Sequence, residues 1–237
     1  MTEIDVRKRT FVDTETTGLI HFVNGVHSIA IFAETEDGRT GQFRSKVRPF
    51  TGELPCPVCK GKLATNPPPE GHIFGCYLCR DSGMLLDLVN PEAMEISGTT
   101  KEELDTFPSP HDVVDQIKKF LRAYVNPFNK EDKAFWYGFS ARFDQDFLRS
   151  LFAKCGDDYF GSWWWTPPID IASLAAEAME KVRPSMLNAK LVTVCGQAGL
   201  TVDPGEAHDA MYDTKLCRRL HRVVRPERGA AQCPTSE

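Results

Sequence analysis

Two Cys-x-x-Cys pairs, Cys56/Cys59 and Cys76/Cys79, stand sixteen residues apart in the first half of the chain. That spacing fits a four-cysteine zinc ribbon, in which two tight knuckles close a tetrahedron around one Zn2+. The stretch around them, 54–88, also holds Pro55, Pro57, Pro67, Pro68 and Pro69 and has little hydrophobic periodicity. A segment of about 35 residues with so few apolar side chains cannot build a stable core, so the metal must supply its folding energy. Two disulfides or a redox thiol pair are the competing explanations. The other four cysteines, Cys155, Cys195, Cys217 and Cys233, are spread singly. The basic N-terminal residues are not followed by the apolar stretch of a secretory signal. Together these features predict a reducing compartment, a cytoplasmic location and one structural Zn2+.

The flanking segments carry ordinary periodic structure. Short β-prone runs at 10–12, 26–32 and 41–47 predict a three-strand meander. Helical spacing predicts an amphipathic helix over 111–124. An apolar strand follows at 134–137, and Ser140 is placed to cap a helix carrying Phe143, Phe147, Leu148, Leu151 and Phe152. Further helices are expected over 171–181, 187–198 and 209–224. Strands first, then helix–strand–helix, describe an α/β fold: a mixed sheet with helices packed on it. The expected organisation is a body over 1–225, interrupted by the ribbon at 54–88, with a patternless tail over 226–237. No apolar run approaches the roughly 20 residues of a membrane span, so no membrane partner is expected.

Three acidic sites punctuate this frame. Asp13 and Glu15 lie two apart at the end of the first strand, so both point to one face. Asp144 falls in the first turn of the helix after the 134–137 strand. Asp209 is a good N-cap, which puts Asp213 in the first turn of the last helix and His208 on the loop before it. Each has an ordinary explanation as a strand end or a capping acid. Clustered carboxylates repel one another and suit hard divalent ions such as Mg2+ or Mn2+. The formal net charge is −5. Setting Asp13, Glu15, Asp144 and Asp213 aside leaves −5 + 4 = −1, so a nucleic-acid substrate is not excluded by charge.

In order, the segments Phe-Val-Asp-Thr-Glu-Thr-Thr-Gly-Leu (11–19), Gly-Phe-Ser-Ala-Arg-Phe-Asp (138–144) and Ala-His-Asp-Ala-Met-Tyr-Asp (207–213) resemble the three motifs of the DnaQ-like DEDDh 3′–5′ exonuclease family. The stretch starting Ile169-Asp170 is similar to that family's intervening helix start. The resemblance spans about residues 9–50 and 88–223. It implies a ribonuclease H-like fold and stepwise release of nucleoside 5′-monophosphates from a 3′ end by two-metal-ion hydrolysis. It further implies that Asp13, Glu15 and Asp213 hold the nucleophile-side ion, that Asp13 bridges to a second ion near Asp144, and that His208 is the general base. By the same resemblance Thr16 and Thr17 contact the terminal nucleotide through their backbone, Leu19 wedges against its base, and Ser140 stands where many members carry Asn. Asp209, at the place a tyrosine would occupy in the sister subtype, marks the histidine subtype.

The expected substrate is the single-stranded 3′ end of DNA. An exoribonuclease is the nearest rival. A second rival is a proofreading subunit whose ribbon docks a replication or repair partner. Replacing 54–88 by a short linker is expected to leave a working core. Lys60, Lys62, His72 and Arg80 could touch phosphates or simply solubilise the ribbon. Trp163, Trp164 and Trp165 are read as a loop folded over the core rather than a base-stacking platform. Arg218, Arg219, Arg222 and Arg225 are read as a solvated helix face.

Overall fold

The structure, a computed structural model, describes residues 7–60, 75–206 and 208–225. Lys62, His72 and the 226–237 tail lie outside them. Three long strands open the chain: β1 (Lys8–Thr16), β2 (Val26–Thr35) and β3 (Thr40–Lys46). They form the expected antiparallel meander, with Asp13 opposite Ala30 and Glu15 opposite Ser28. A two-stranded ribbon follows, β4 (Thr51–Pro55) and β5 (Met84–Leu86), paired antiparallel with Pro55 opposite Met84. The cysteine knuckles hang from this hairpin.

Two short helices that the sequence reading missed come next, α1 (Pro91–Ser97) and α2 (Lys101–Thr106). Local chemistry explains them. Asn90 caps α1 ahead of a proline, and Thr100 with Glu103 makes a reciprocal capping box on α2. Helix α3 (Pro110–Leu121) is capped by Ser109 and ends short of the expected Tyr124. Strand β6 (Phe135–Gly138) then runs parallel to β1, and α4 (Ala141–Lys154) leaves its end. Strand β7 (Ile169–Asp170) pairs parallel with β6 and runs straight into α5 (Ile171–Ala178), three residues shorter than expected. Helix α6 (Leu191–Gln197) begins at 191 rather than 187. Leu187 is almost fully exposed and so has no packing to hold it in a helix. The last helix, α7 (Ala210–Val224), is capped by Asp209 as expected.

The five-stranded sheet has the order β3-β2-β1-β6-β7 and is covered on both faces. Alternation along β1 and β2 divides the core. Val12, Ile29 and Ile31 join Val113, Ile117, Leu121, Phe147 and Leu148 of α3 and α4. Phe11 and Phe32 join Ile171, Ala175, Leu216 and Leu220 of α5 and α7. Trp163 and Trp164 are buried in the first of these layers, and the Trp164 indole donates to Thr10 Oγ1 at 2.9 Å, whereas Trp165 is exposed. The arginines of α7 depart from a purely solvated face. Arg218 and Arg222 donate to the buried Glu34 at 2.6 and 3.4 Å and thereby tie α7 to β2. No helix among the described residues is long and apolar enough to cross a membrane.

Candidate active site

The site forms where β1 outruns its parallel neighbour. β6 pairs with β1 only from Arg9 to Phe11, yet β1 continues to Thr16. The N–H groups of β1 beyond that point lack a strand partner on the β6 side. Helix α4 supplies one: Asp144 Oδ1 accepts from the Thr14 N–H at 2.9 Å and from the Thr14 hydroxyl at 2.8 Å. The chain can turn from β6 into α4 this close to β1 because residue 138 is glycine. A Cβ there would lie 3.1 Å from Ala141 Cα and 3.2 Å from the Val12 carbonyl. Thr14 therefore orients Asp144, a role the sequence reading did not assign. The available signal was a hydroxyl residue on the face of β1 opposite Asp13 and Glu15.

On that other face, Asp13 and Glu15 follow Phe11 toward α7. Small residues let α7 approach: Ala30, opposite Asp13, packs with Ala210 and Met211. Asp209 caps α7 by accepting from the N–H groups of Met211 and Tyr212 at 3.0 and 2.9 Å. Asp213 in the first turn accepts from the His208 N–H at 3.3 Å through Oδ2, while its Oδ1 is buried without a hydrogen-bond partner. His208 is exposed and held in the left-handed region at φ 68°. Ligating atoms of Glu15, His208 and Asp213 all lie within 4.8 Å of one another.

The acids raise one another's proton affinity. Burial, then Asp144, Glu15 and Asp213, hold Asp13 well above the usual carboxylate range. Burial, then Asp213 and Asp144, push Glu15 up to about 7, with Lys46 opposing weakly. Burial pushes Asp144 up to about 7 despite the two Thr14 hydrogen bonds. Burial raises Asp213 against the His208 N–H. A set of hard oxygen donors with shared excess charge and one orphaned buried oxygen fits divalent Mg2+ or Mn2+. Asp13, Glu15, Asp144 and Asp213 are the groups that would hold such ions.

The other expected site residues occupy different settings. Leu19 is 81% exposed at the tip of the turn after β1. Thr16 donates to the Gly18 carbonyl at 2.6 Å. Thr17 is fully buried and its N–H is committed to the Gly25 carbonyl at 2.8 Å, so a contact from the Thr17 N–H to a substrate would have to break that bond. Ser140 stands at the N-cap position of α4, but its hydroxyl makes no capping bond. The expected cap fails because Ser140 is left-handed at φ 59°, outside the extended conformation a capping side chain needs. Its N–H is instead taken by Asp170 Oδ1 at 2.9 Å. Asp170 also caps α5 and accepts from the Ser173 hydroxyl, so it fixes the corner from which α4 departs. Its sequence signals were an acid ahead of an apolar run and the resemblance of the stretch starting Ile169-Asp170 to an intervening helix start.

The four cysteines form a separate cluster. Cys56 and Cys76 Sγ lie 3.7 Å apart and Cys59 and Cys79 Sγ 3.5 Å apart, all as free thiols. Four sulfurs about 2.3 Å from one zinc would stand about 3.8 Å from each other. The cluster thus fits Zn2+ and offers no open position for water.

No protein-family model and no curated protein sequence matches the chain. Solved structures do. Exonuclease I of E. coli in complex with a dT13 oligonucleotide is 16% identical with a TM-score of 0.61, covering 93% of this chain and 41% of that one. A product-bound structure of exonuclease I is 15% identical with a TM-score of 0.61, covering 92% and 43%. An ExoI/SSB-Ct complex aligns with a TM-score of 0.59 at 15% identity, covering 92% and 41%. The chain thus shares the fold of exonuclease I and spans about two fifths of the length of these structures.

Proposed function

We propose that the chain is a metal-dependent 3′–5′ exonuclease that releases nucleoside 5′-monophosphates from single-stranded DNA. The observation that carries this reading is the convergence of carboxylates from β1, α4 and α7 at one sheet end, with an imidazole within 4.8 Å of two of them. The shared fold supports it, since the similar exonuclease I structures hold DNA oligonucleotides.

The reaction follows from the groups present. Two hard ions, when bound, supply a lowered-pKa water and charge stabilisation for the pentavalent phosphorus. Asp13, Glu15, Asp144 and Asp213 would hold them as carboxylates, and Thr14 fixes Asp144 by two hydrogen bonds. The water oxygen bonds to phosphorus as the bond to the departing 3′ oxygen breaks. His208 takes the water's proton on a ring nitrogen, and the 3′ oxygen gains a proton from solvent. His208 is exposed on the loop before α7, within 4.8 Å of Glu15 and Asp213, where it can reach the water without giving up a core contact. Exposed Leu19 meets the terminal base.

The test is digestion of 5′-labelled single-stranded DNA and RNA of one sequence, with Mg2+ or Mn2+ and with chelator. Metal-dependent shortening of the DNA from its 3′ end to 5′-monophosphates is expected. Shortening of RNA alone would make the protein an exoribonuclease. No shortening of either strand would refute the reading.

A further inference from the structure

We propose that the cysteine ribbon is a brace for the turn at 17–25, the segment that joins the Asp13/Glu15 strand to β2 and carries Leu19 at its tip. This rests on the exonuclease reading for its consequence in catalysis, but the contact itself does not. The segment leaving the ribbon is hydrogen-bonded to that turn through Leu88 and Asn90. The Leu88 carbonyl accepts from the Thr17 hydroxyl at 2.8 Å and from Asn24 Nδ2 at 2.7 Å. The Leu88 N–H donates to the Val23 carbonyl at 2.8 Å, and the Asn90 N–H donates to the Thr17 carbonyl at 2.7 Å. Asn24 Oδ1 accepts from the Ile20 N–H at 3.0 Å, which carries the support up to the residue after Leu19.

One residue reaches from a knuckle itself. Arg80 follows Cys79 directly, and its N–H is held by the Cys76 carbonyl at 2.9 Å. Its guanidinium donates to the Leu86 carbonyl at 2.9 Å and to the Val23 carbonyl at 3.5 Å. The bond to Val23 ties the knuckle to the turn, and the bond to Leu86 ties it to β5. Below it, Asp87 is buried and ion-paired with buried Lys154 near the end of α4, and it accepts from the Phe50 N–H at 3.0 Å. Gly25 packs so closely on Asp87 that a Cβ would overlap the carboxylate. The ribbon is thus seated on the body through Asp87, and through Arg80 it presses on the turn.

The consequence concerns what metal at the four cysteines does. It fixes the knuckle, the knuckle fixes Arg80, and Arg80 helps hold residues 20–25. Arg80 is then a positioning residue and not a phosphate contact.

The experiment compares backbone-amide hydrogen exchange in zinc-loaded wild type, zinc-stripped wild type, and zinc-loaded Arg80→Ala and Arg80→Lys, all without Mg2+. Faster exchange within 17–25 is expected in the stripped protein and in Arg80→Ala, with β6 and α7 unchanged and one zinc per chain retained in Arg80→Ala. On a short single-stranded DNA, Arg80→Ala is expected to raise KM about tenfold, the scale of one lost charge-assisted hydrogen bond, with kcat nearly unchanged. Arg80→Lys, which keeps the charge but not the planar fork, should recover only part of both effects. Unchanged exchange within 17–25 in both the stripped protein and Arg80→Ala would overturn the proposal. So would full recovery of KM by Arg80→Lys while exchange within 17–25 stays fast, which would make the residue a simple phosphate attractor. If no DNA or RNA is cleaved by any form, the exonuclease reading fails while the exchange result still decides the brace.

Discussion

Thr14 lets a buried carboxylate sit beside three others, because it fixes Asp144 through one oxygen by two hydrogen bonds. Asn at 144 can accept the same two bonds but carries no charge. Asp144→Asn should therefore fold normally and lose roughly 10²–10³-fold in Mg2+-dependent hydrolysis, measured as initial rate at saturating metal. His208→Ala should lose roughly 10²–10⁴-fold while Mn2+ still raises the melting temperature. Loss of that metal-induced stabilisation would make His208 a ligand instead of a base. A different histidine governs acid stability. His27 in β2 is fully buried, and neither ring nitrogen has a hydrogen-bond partner among the described residues. Burial, helped by Lys46, lowers it from 6.5 to about 4. The unfolded chain binds a proton there that the folded chain refuses, so stability is lost as pH falls from 6.5 toward 4, by about 3 kcal/mol in full. His27→Leu should gain over wild type more at pH 5 than at pH 7.5 in urea unfolding. An equal gain at both pH values would sink this account.

At the level of elements, the ribbon is a hairpin that carries the four-cysteine cluster. Metal analysis should find one zinc per chain, lost in the Cys76→Ser/Cys79→Ser double variant. The boundary of a safe excision follows from the pairing of Pro55 with Met84. Replacing 56–83 by a short Gly/Ser turn should close the hairpin and leave a folded core that still cleaves a short oligonucleotide, with a weaker grip. Extending the excision to residue 88 removes Asp87 and leaves Lys154 charged and buried, at about 3–5 kcal/mol. Denaturation midpoints of the two deletions should differ accordingly, and equal midpoints would mean that Asp87 is dispensable. The corner between β6 and α4 makes a parallel case. Asp170→Ala removes the partner of the Ser140 N–H and the cap of α5. It should cost about 1–2 kcal/mol in unfolding free energy. It should also slow cleavage through Asp144, with a lower kcat at unchanged zinc content.

Across the whole molecule, the acidic site sets a pH dependence that metal removes. Glu15 and Asp144 titrate in the fold at about 7, against ordinary values of 4.5 and 3.8. The metal-free fold thus holds protons that the unfolded chain has released. Their contribution is present below about pH 4 and is lost as pH rises through about 7. It opposes that of His27, so the comparison is wild type against Asp144→Asn. Without metal, the variant should gain on wild type as pH rises from 5 to 8 in thermal unfolding, and saturating Mg2+ should shrink the gap. Parallel curves for the two proteins would contradict the shared-charge site. The sequence by itself determined the meander, the strand–helix unit around Asp144, the cap at Asp209 and the cysteine cluster, because each follows from spacing within one short segment. Only the tertiary structure decided the rest. Thr14 became the partner of Asp144 because β6 stops short of β1. Ser140 lost its cap to the left-handed corner that Asp170 enforces. Asn24 and Leu88, 64 residues apart, meet because the segment leaving the ribbon packs against the turn at 17–25. Such roles belong to backbone groups left open or filled by distant segments, and no local pattern of side chains records which segment will fill them.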